Sequence, residues 1–183
     1  QGQTVPNTTI TYVPWSPELD TGKACGVPKA VQTHDEWKGK KVVVVAVPGA
    51  FTPTWCVARS AGMLLTLQPR EPHPSVRGQG ERGALQRRGG RQTDLAQLKG
   101  KGVDAVYVIA ANDPFVMSAW NVMEHAQDKI VFANDTNLQF SKGVRDGVWQ
   151  AGRATTWQLN ATLDLSSKGM GERTARYALI GTC

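Results

Sequence analysis

The run Lys41-Val42-Val43-Val44-Val45-Ala46-Val47 constrains this chain more than any other stretch. Valine is stiff at its β-carbon, loses freedom in a helix and packs well on a pleated surface. Lys38-Gly39-Lys40 precedes the run and Pro48-Gly49 ends it. An apolar run with no polar alternation predicts a strand buried on both faces. Such a strand needs helices above and below its sheet, so the chain is expected to be α/β.

The remaining segments fit that expectation. Thr8 to Val13 alternates as a short strand, and Pro14, Pro17 and Gly22 then mark a loop. Cys25-Gly26-Val27-Pro28 reads as a turn into a second short strand. Thr33 is the expected N-cap of a helical turn over His34 to Trp37, with His34 a solvated surface residue. Asp94 to Lys99 reads as the end of a helix, capped by Gly100 or Gly102. Val103 to Ala110 is a second buried strand. Asp113 then caps a helix with Pro114 at its first position. Phe115, Ala119, Trp120, Val122 and Met123 recur at helical spacing, and Trp120 and Met123 are expected in the core. Lys129 to Ala133 is a third strand, Phe140-Ser141-Lys142 starts a short helix, and Leu159 to Leu165 is a further ordered segment. Lys168 to Glu172 is a turn before a last strand, Arg176 to Ile180. This alternation predicts a three-layer sandwich in a single domain over residues 1–183.

Two irregular insertions, 57–93 and 143–158, interrupt the pattern. A helix is expected soon after Thr52, with Thr52 or Thr54 near its start, yet Pro69, Pro72 and Pro74 follow closely on Ala61 to Leu67. The first insertion holds seven arginines against two glutamates, so it carries most of the chain's net charge of +6. It lacks the aromatic residues with which single-strand binders stack bases, so a solvated loop is expected and no nucleic-acid partner. No apolar run approaches the ~20 residues of a membrane span. No basic-then-apolar leader follows Gln1, which favours an intracellular protein with reduced thiols. Cys25, Cys56 and Cys183 are too scattered for a disulfide framework and have no metal-site spacing. No cofactor motif is present. Arg88-Gly89-Gly90 follows no strand and does not form a phosphate loop.

Four blocks resemble peroxiredoxins, nearest to the fungal group related to peroxisomal and mitochondrial members and mould allergens. They are Val47 to Thr54, Leu98 to Asp104, Asn112 to Trp120 and Gly171 to Ile180. The resemblance implies a thioredoxin-like fold with a further strand and helix after Ile180. It implies a thiol-dependent peroxidase acting on hydrogen peroxide and alkyl hydroperoxides, in antioxidant defence and redox homeostasis. A cysteine becomes a sulfenic acid, and thioredoxin, glutaredoxin or glutathione restores it. The family motif is Pro, three residues, Thr, two residues, Cys. Pro48 and Thr52 match it, and Arg176 matches the family's active-site arginine, with Arg173 a second one nearby. Pro48 would shield the thiolate, Thr52 would orient the peroxide, and Arg176 would stabilise the thiolate and the departing oxygen. Cys25 is the candidate resolving thiol, and otherwise a buried cysteine. A homodimer is a further expectation, as is residence in the cytoplasm, mitochondrion or peroxisome.

The motif count places its cysteine at position 55, which is Trp55; the cysteine stands one place later, at Cys56. Cys56 is the candidate nucleophile. Trp55 supports a second reading, a catalytically inactive thioredoxin-like scaffold that acts by binding or dimerisation. One account joins the insertions to this shift: both have the composition of translated non-coding sequence, with the cysteine codon split by the first.

Overall fold

The computed structural model describes residues 5–52, 95–146, 148–151, 155–158 and 161–182. Its elements in chain order are β1 (Thr9–Tyr12), α1 (Pro17–Asp20), β2 (Lys29–Gln32), α2 (Thr33–Trp37) and β3 (Lys41–Ala46). Then follow α3 (Leu95–Gly100), β4 (Ala105–Ala110), α4 (Pro114–Met123), β5 (Val131–Asp135) and α5 (Gln139–Asp146). The last strands are β6 (Val148–Ala151), β7 (Thr155–Gln158), β8 (Thr162–Asp164), β9 (Glu172–Thr174) and β10 (Tyr177–Thr182).

Six strands form the main sheet in the order β10-β3-β4-β5-β1-β2. β3, β4 and β5 run parallel; β10 pairs antiparallel with β3, and β1 antiparallel with both β5 and β2. The period of two then divides the valine run between layers. Val42 and Val44 join Trp37 of α2 and Phe140 and Val144 of α5 on one face. Val43 and Val47 join Leu95 of α3 and Met117 and Trp120 of α4 on the other. Full burial of each such side chain is worth about 1.5–3 kcal/mol over exposure. Aromatic contacts anchor both layers. Trp37 meets Phe140 edge-on at 5.6 Å, and Trp120 meets Phe132 edge-on at 5.0 Å. The expected three-layer α/β sandwich is therefore present.

Local chemistry sets the boundaries. Asp113 accepts hydrogen bonds from the backbone N–H of Phe115 and Val116, at 2.8 and 3.0 Å, and Pro114 opens α4 as anticipated. α3 ends where Gly102 adopts a left-handed φ of 75°, which lets the N–H of Val103 reach Leu98 O at 3.0 Å.

Several expectations are corrected. Thr33 is the first residue of α2 and Gln32 is its N-cap. The Thr33 hydroxyl instead donates to Pro6 O at 2.7 Å and accepts from Thr8 N at 3.0 Å, which ties the segment before β1 to α2. His34 is half-buried, with Nε2 2.6 Å from Val5 O, so it is more than a solvated residue. Met123 is 62% exposed, because it lies four and eight residues after Ala119 and Phe115, on the face of α4 turned away from the buried Met117 and Trp120. The stretch 143–158 is more regular than its composition suggests. α5 runs on to Asp146, and β6 and β7 pair antiparallel with Trp149 opposite Trp157. Short β-branched and aromatic runs favour strands without showing any helical period. The insertion at 57–93 and the dipeptide Trp55-Cys56 lie outside the described residues, as does Cys183.

Candidate active site

The parallel strand β3 ends at Ala46, and Val47 to Thr52 leaves its C-terminal edge. Val47 still donates its N–H to Ile109 O at 3.0 Å, so the parallel pairing carries one residue past the strand. The Val47 carbonyl accepts from the buried Thr174 hydroxyl at the end of β9. The Ala50 N–H donates to Asn112 Oδ1 at 2.8 Å, and the Thr52 hydroxyl donates to Gly49 O at 3.2 Å. Phe51 takes a left-handed φ of 56°, uncommon for a residue with a bulky side chain. Its ring lies 6.2 Å from that of Trp120 and is half exposed. The loop carrying Pro48 and Thr52 is thus fastened to β4, to the turn before α4 and to β9.

Arg176 reaches the same edge through strand register. In the antiparallel ladder Tyr177 stands opposite Ala46, so Arg176 lies at the end of β3 from which the loop departs. Arg176, the bend residue before β10, is exposed, whereas Tyr177, the first residue of the strand, is buried. Arg173 sits on β9 with its Nη1 donating to Ala111 O at 3.2 Å and its Nε to Met170 O at 2.8 Å. Part of its hydrogen-bonding capacity is spent on backbone.

Behind Arg176 lies a buried polar network. The Tyr177 hydroxyl is 2.9 Å from Ser141 Oγ, which donates to Asp135 Oδ2 at 2.6 Å. Asp135 also accepts from the N–H groups of Phe140 and Ser141, at 2.9 and 3.0 Å. Burial pushes the Asp135 carboxyl above its ordinary range, against the opposing effect of these donors. Burial likewise raises the Tyr177 phenol, which keeps it neutral.

The chain therefore brings Pro48, Thr52 and Arg176 to one edge of the sheet. Cys25 is exposed rather than buried and precedes β2, the far edge strand. β2 begins beside Tyr12, whose other partner, Ala133, lies ahead of the C-terminal end of β5. Cys25 thus precedes a strand that lies four strand spacings from β3, on the order of 19 Å sideways. Asn112, Asn134 and Thr174 escape a reading by motif. Asn112 looks only like the residue before a helix cap, and the other two act across long sequence separations. Among the described residues no helix is long and apolar enough to cross a membrane.

A helix-covered mixed sheet with a proline-threonine loop and an arginine at one edge defines a thioredoxin-like protein. The redoxin family matches residues 1–182. A Malassezia furfur protein named as a peroxiredoxin is 49% identical, over 98% of this chain and 82% of its own length. A Lipomyces kononenkoae protein named as a peroxisomal peroxiredoxin is 34% identical, over 92% of this chain and 76% of its own. Among solved structures, reduced Prx3 from Vibrio vulnificus in complex with H2O2 is 29% identical, with a TM-score of 0.61. The match covers 100% of this chain and 80% of that one. The chain belongs to the redoxin family, and within it to the fungal peroxiredoxins, which are thiol peroxidases.

Proposed function

We propose that Cys56 is the peroxide-reacting thiol of this chain, working with Pro48, Thr52 and Arg176 on hydrogen peroxide and alkyl hydroperoxides. The supporting observation is the register that sets Arg176 opposite the end of β3, beside the loop that leads to Cys56. A thiolate sulfur attacks one peroxide oxygen and the O–O bond breaks. The sulfur gains that oxygen as a sulfenic acid, and the other oxygen leaves as hydroxide or alkoxide and takes up a proton. A cationic guanidinium stabilises both the thiolate and the departing oxygen. A second thiol then condenses with the sulfenic acid and releases water.

The far placement of Cys25 favours a reductant from outside the chain: thioredoxin, glutaredoxin or glutathione. Phe115, Ala119 and Met123 recur every four residues along α4 as an exposed apolar stripe, with the half-exposed Phe51 ring 6.2 Å from Trp120 of the same helix. This stripe supports a homodimer, which sedimentation of Phe115→Glu against the parent chain tests. Residence in the cytoplasm, mitochondrion or peroxisome rests on the peroxisomal relative.

The test of the nucleophile is exposure to hydrogen peroxide with a sulfenic-acid trap, followed by peptide mapping. Label on Cys56 and loss of peroxide consumption in Cys56→Ser are expected. Consumption that survives Cys56→Ser overturns the assignment.

A further inference from the structure

We infer that Asn112 is a positioning residue for the peroxide pocket, acting through the backbone of Ala50. The inference deepens the reading of Pro48, Thr52 and Cys56 above and rests on it. Ala50 is the middle residue of the loop, and it is buried. Its N–H has a side-chain acceptor, Asn112 Oδ1, at 2.8 Å across 62 residues of sequence. A buried N–H without a partner is strongly disfavoured, so this contact selects the turn that the loop adopts.

Three further observations show how closely the turn is fitted to Asn112. A β-carbon built on Gly49 would meet Asn112 Oδ1 at 3.4 Å and Thr52 Cγ2 at 3.3 Å, so the backbone passes nearly in contact with the amide. The next-but-one residue, Phe51, is held in the left-handed region at φ 56°. The Thr52 hydroxyl is aimed by its bond to Gly49 O, so its position follows from the same turn.

Asn112 is itself fixed. Its backbone carbonyl accepts from Asn134 Nδ2 at the end of β5. Its neighbours are tied on both sides. Ala111 O accepts from Arg173, and Asp113 caps α4. The segment 111–113 therefore joins the loop, β5, β9 and α4. Asn112 touches no reacting atom in this scheme; it sets where Thr52 stands.

The test compares Asn112→Leu, which removes the acceptor at similar size, with Asn112→Asp, which keeps an acceptor oxygen. Three quantities are read on each full chain: the rate constant with hydrogen peroxide, the alkylation rate with iodoacetamide, and Tm. A displaced pocket lowers the peroxide rate of Asn112→Leu by about 10- to 100-fold. Alkylation, which needs no oriented peroxide, changes far less, and Asn112→Asp recovers most of the lost rate. General unfolding would instead lower both rates together and leave Asn112→Asp unable to rescue. If Asn112→Leu does not fold, Asn112→Ala takes its place, and the same split between peroxide and iodoacetamide is expected. Wild-type peroxide rates in the folded variant, with Cys56→Ser inactive, overturn the inference alone. Peroxide consumption surviving in Cys56→Ser overturns the underlying assignment.

Discussion

Replacing Ser141 by alanine perturbs the network that anchors β10. Ser141 is fully buried in the first turn of α5. Its single hydroxyl proton is committed to Asp135 at 2.6 Å, so the Tyr177 phenol must donate to Ser141 at 2.9 Å. Ser141→Ala removes a hydrogen bond to a carboxylate, worth about 1.5–3 kcal/mol. It also strips the buried Tyr177 hydroxyl of this partner, a loss of about 1–3 kcal/mol. Asp135 keeps two backbone donors, which limits the damage. A destabilisation of about 2–4 kcal/mol is expected. Tyr177→Phe removes the phenol proton without leaving an orphan on tyrosine, and should cost about 0.5–1.5 kcal/mol.

The two changes share a partner, so the double variant should lose less than the sum, by about 1 kcal/mol or more. Urea unfolding of the four proteins measures the cycle. The pH dependence gives a second check. A folded pKa raised above the unfolded value contributes stability present at low pH and lost as pH rises through the folded value. Ser141→Ala removes a donor that holds the Asp135 value down, so the loss extends further and the gap to the parent widens as pH rises. A cost below about 0.5 kcal/mol, or additivity within about 0.3 kcal/mol, refutes this account.

Asp113→Ala should destabilise by about 1 kcal/mol through loss of two capping bonds, and Asp113→Ser should restore most of it, both read by chemical denaturation. Asp135→Asn cannot ionise, so its deficit against the parent should shrink as pH rises above about 4 and the raised Asp135 ionises at a cost in the parent; a constant deficit counts against the role of burial. Arg176 is exposed, so Arg176→Gln should change stability by under about 0.5 kcal/mol while lowering the peroxide rate by about 100-fold or more. Arg176→Lys should recover only part of that rate, because lysine keeps the charge but not the planar fork.

The legible parts of the fold are those whose signal is local. β3 is announced by four valines between charged and Pro-Gly flanks, and α4 by Asp113-Pro114. What stays hidden depends on partners distant in sequence. Phe115, Ala119 and Met123 are apolar at helical spacing, yet that period alone does not say which of two apolar faces of α4 meets the sheet. Asp135, Ser141 and Tyr177 look like ordinary polar residues until three elements converge, with 36 residues between Ser141 and Tyr177. Asn112 is legible only as a neighbour of a cap. Its acceptor role depends on the parallel pairing that brings the end of β4 beside the end of β3.

The pair Arg176-Tyr177 shows why these hidden contacts bear on chemistry. Successive residues at the start of a strand point to opposite sides. Tyr177 turns into the core and is tied to Ser141; Arg176, just before the strand, is exposed at the edge where Pro48 and Thr52 lie. Among the described residues β10 has one ladder, with β3. A one-residue slip would exchange the two side chains. It would bury a guanidinium against Asp135 and remove the cation from the loop. The phenol-serine-aspartate chain opposes that slip, because no residue neighbouring Tyr177 in β10 carries a hydroxyl that could replace it at Ser141. The core network and the placement of Arg176 beside the Pro48–Thr52 loop are thus two consequences of one register.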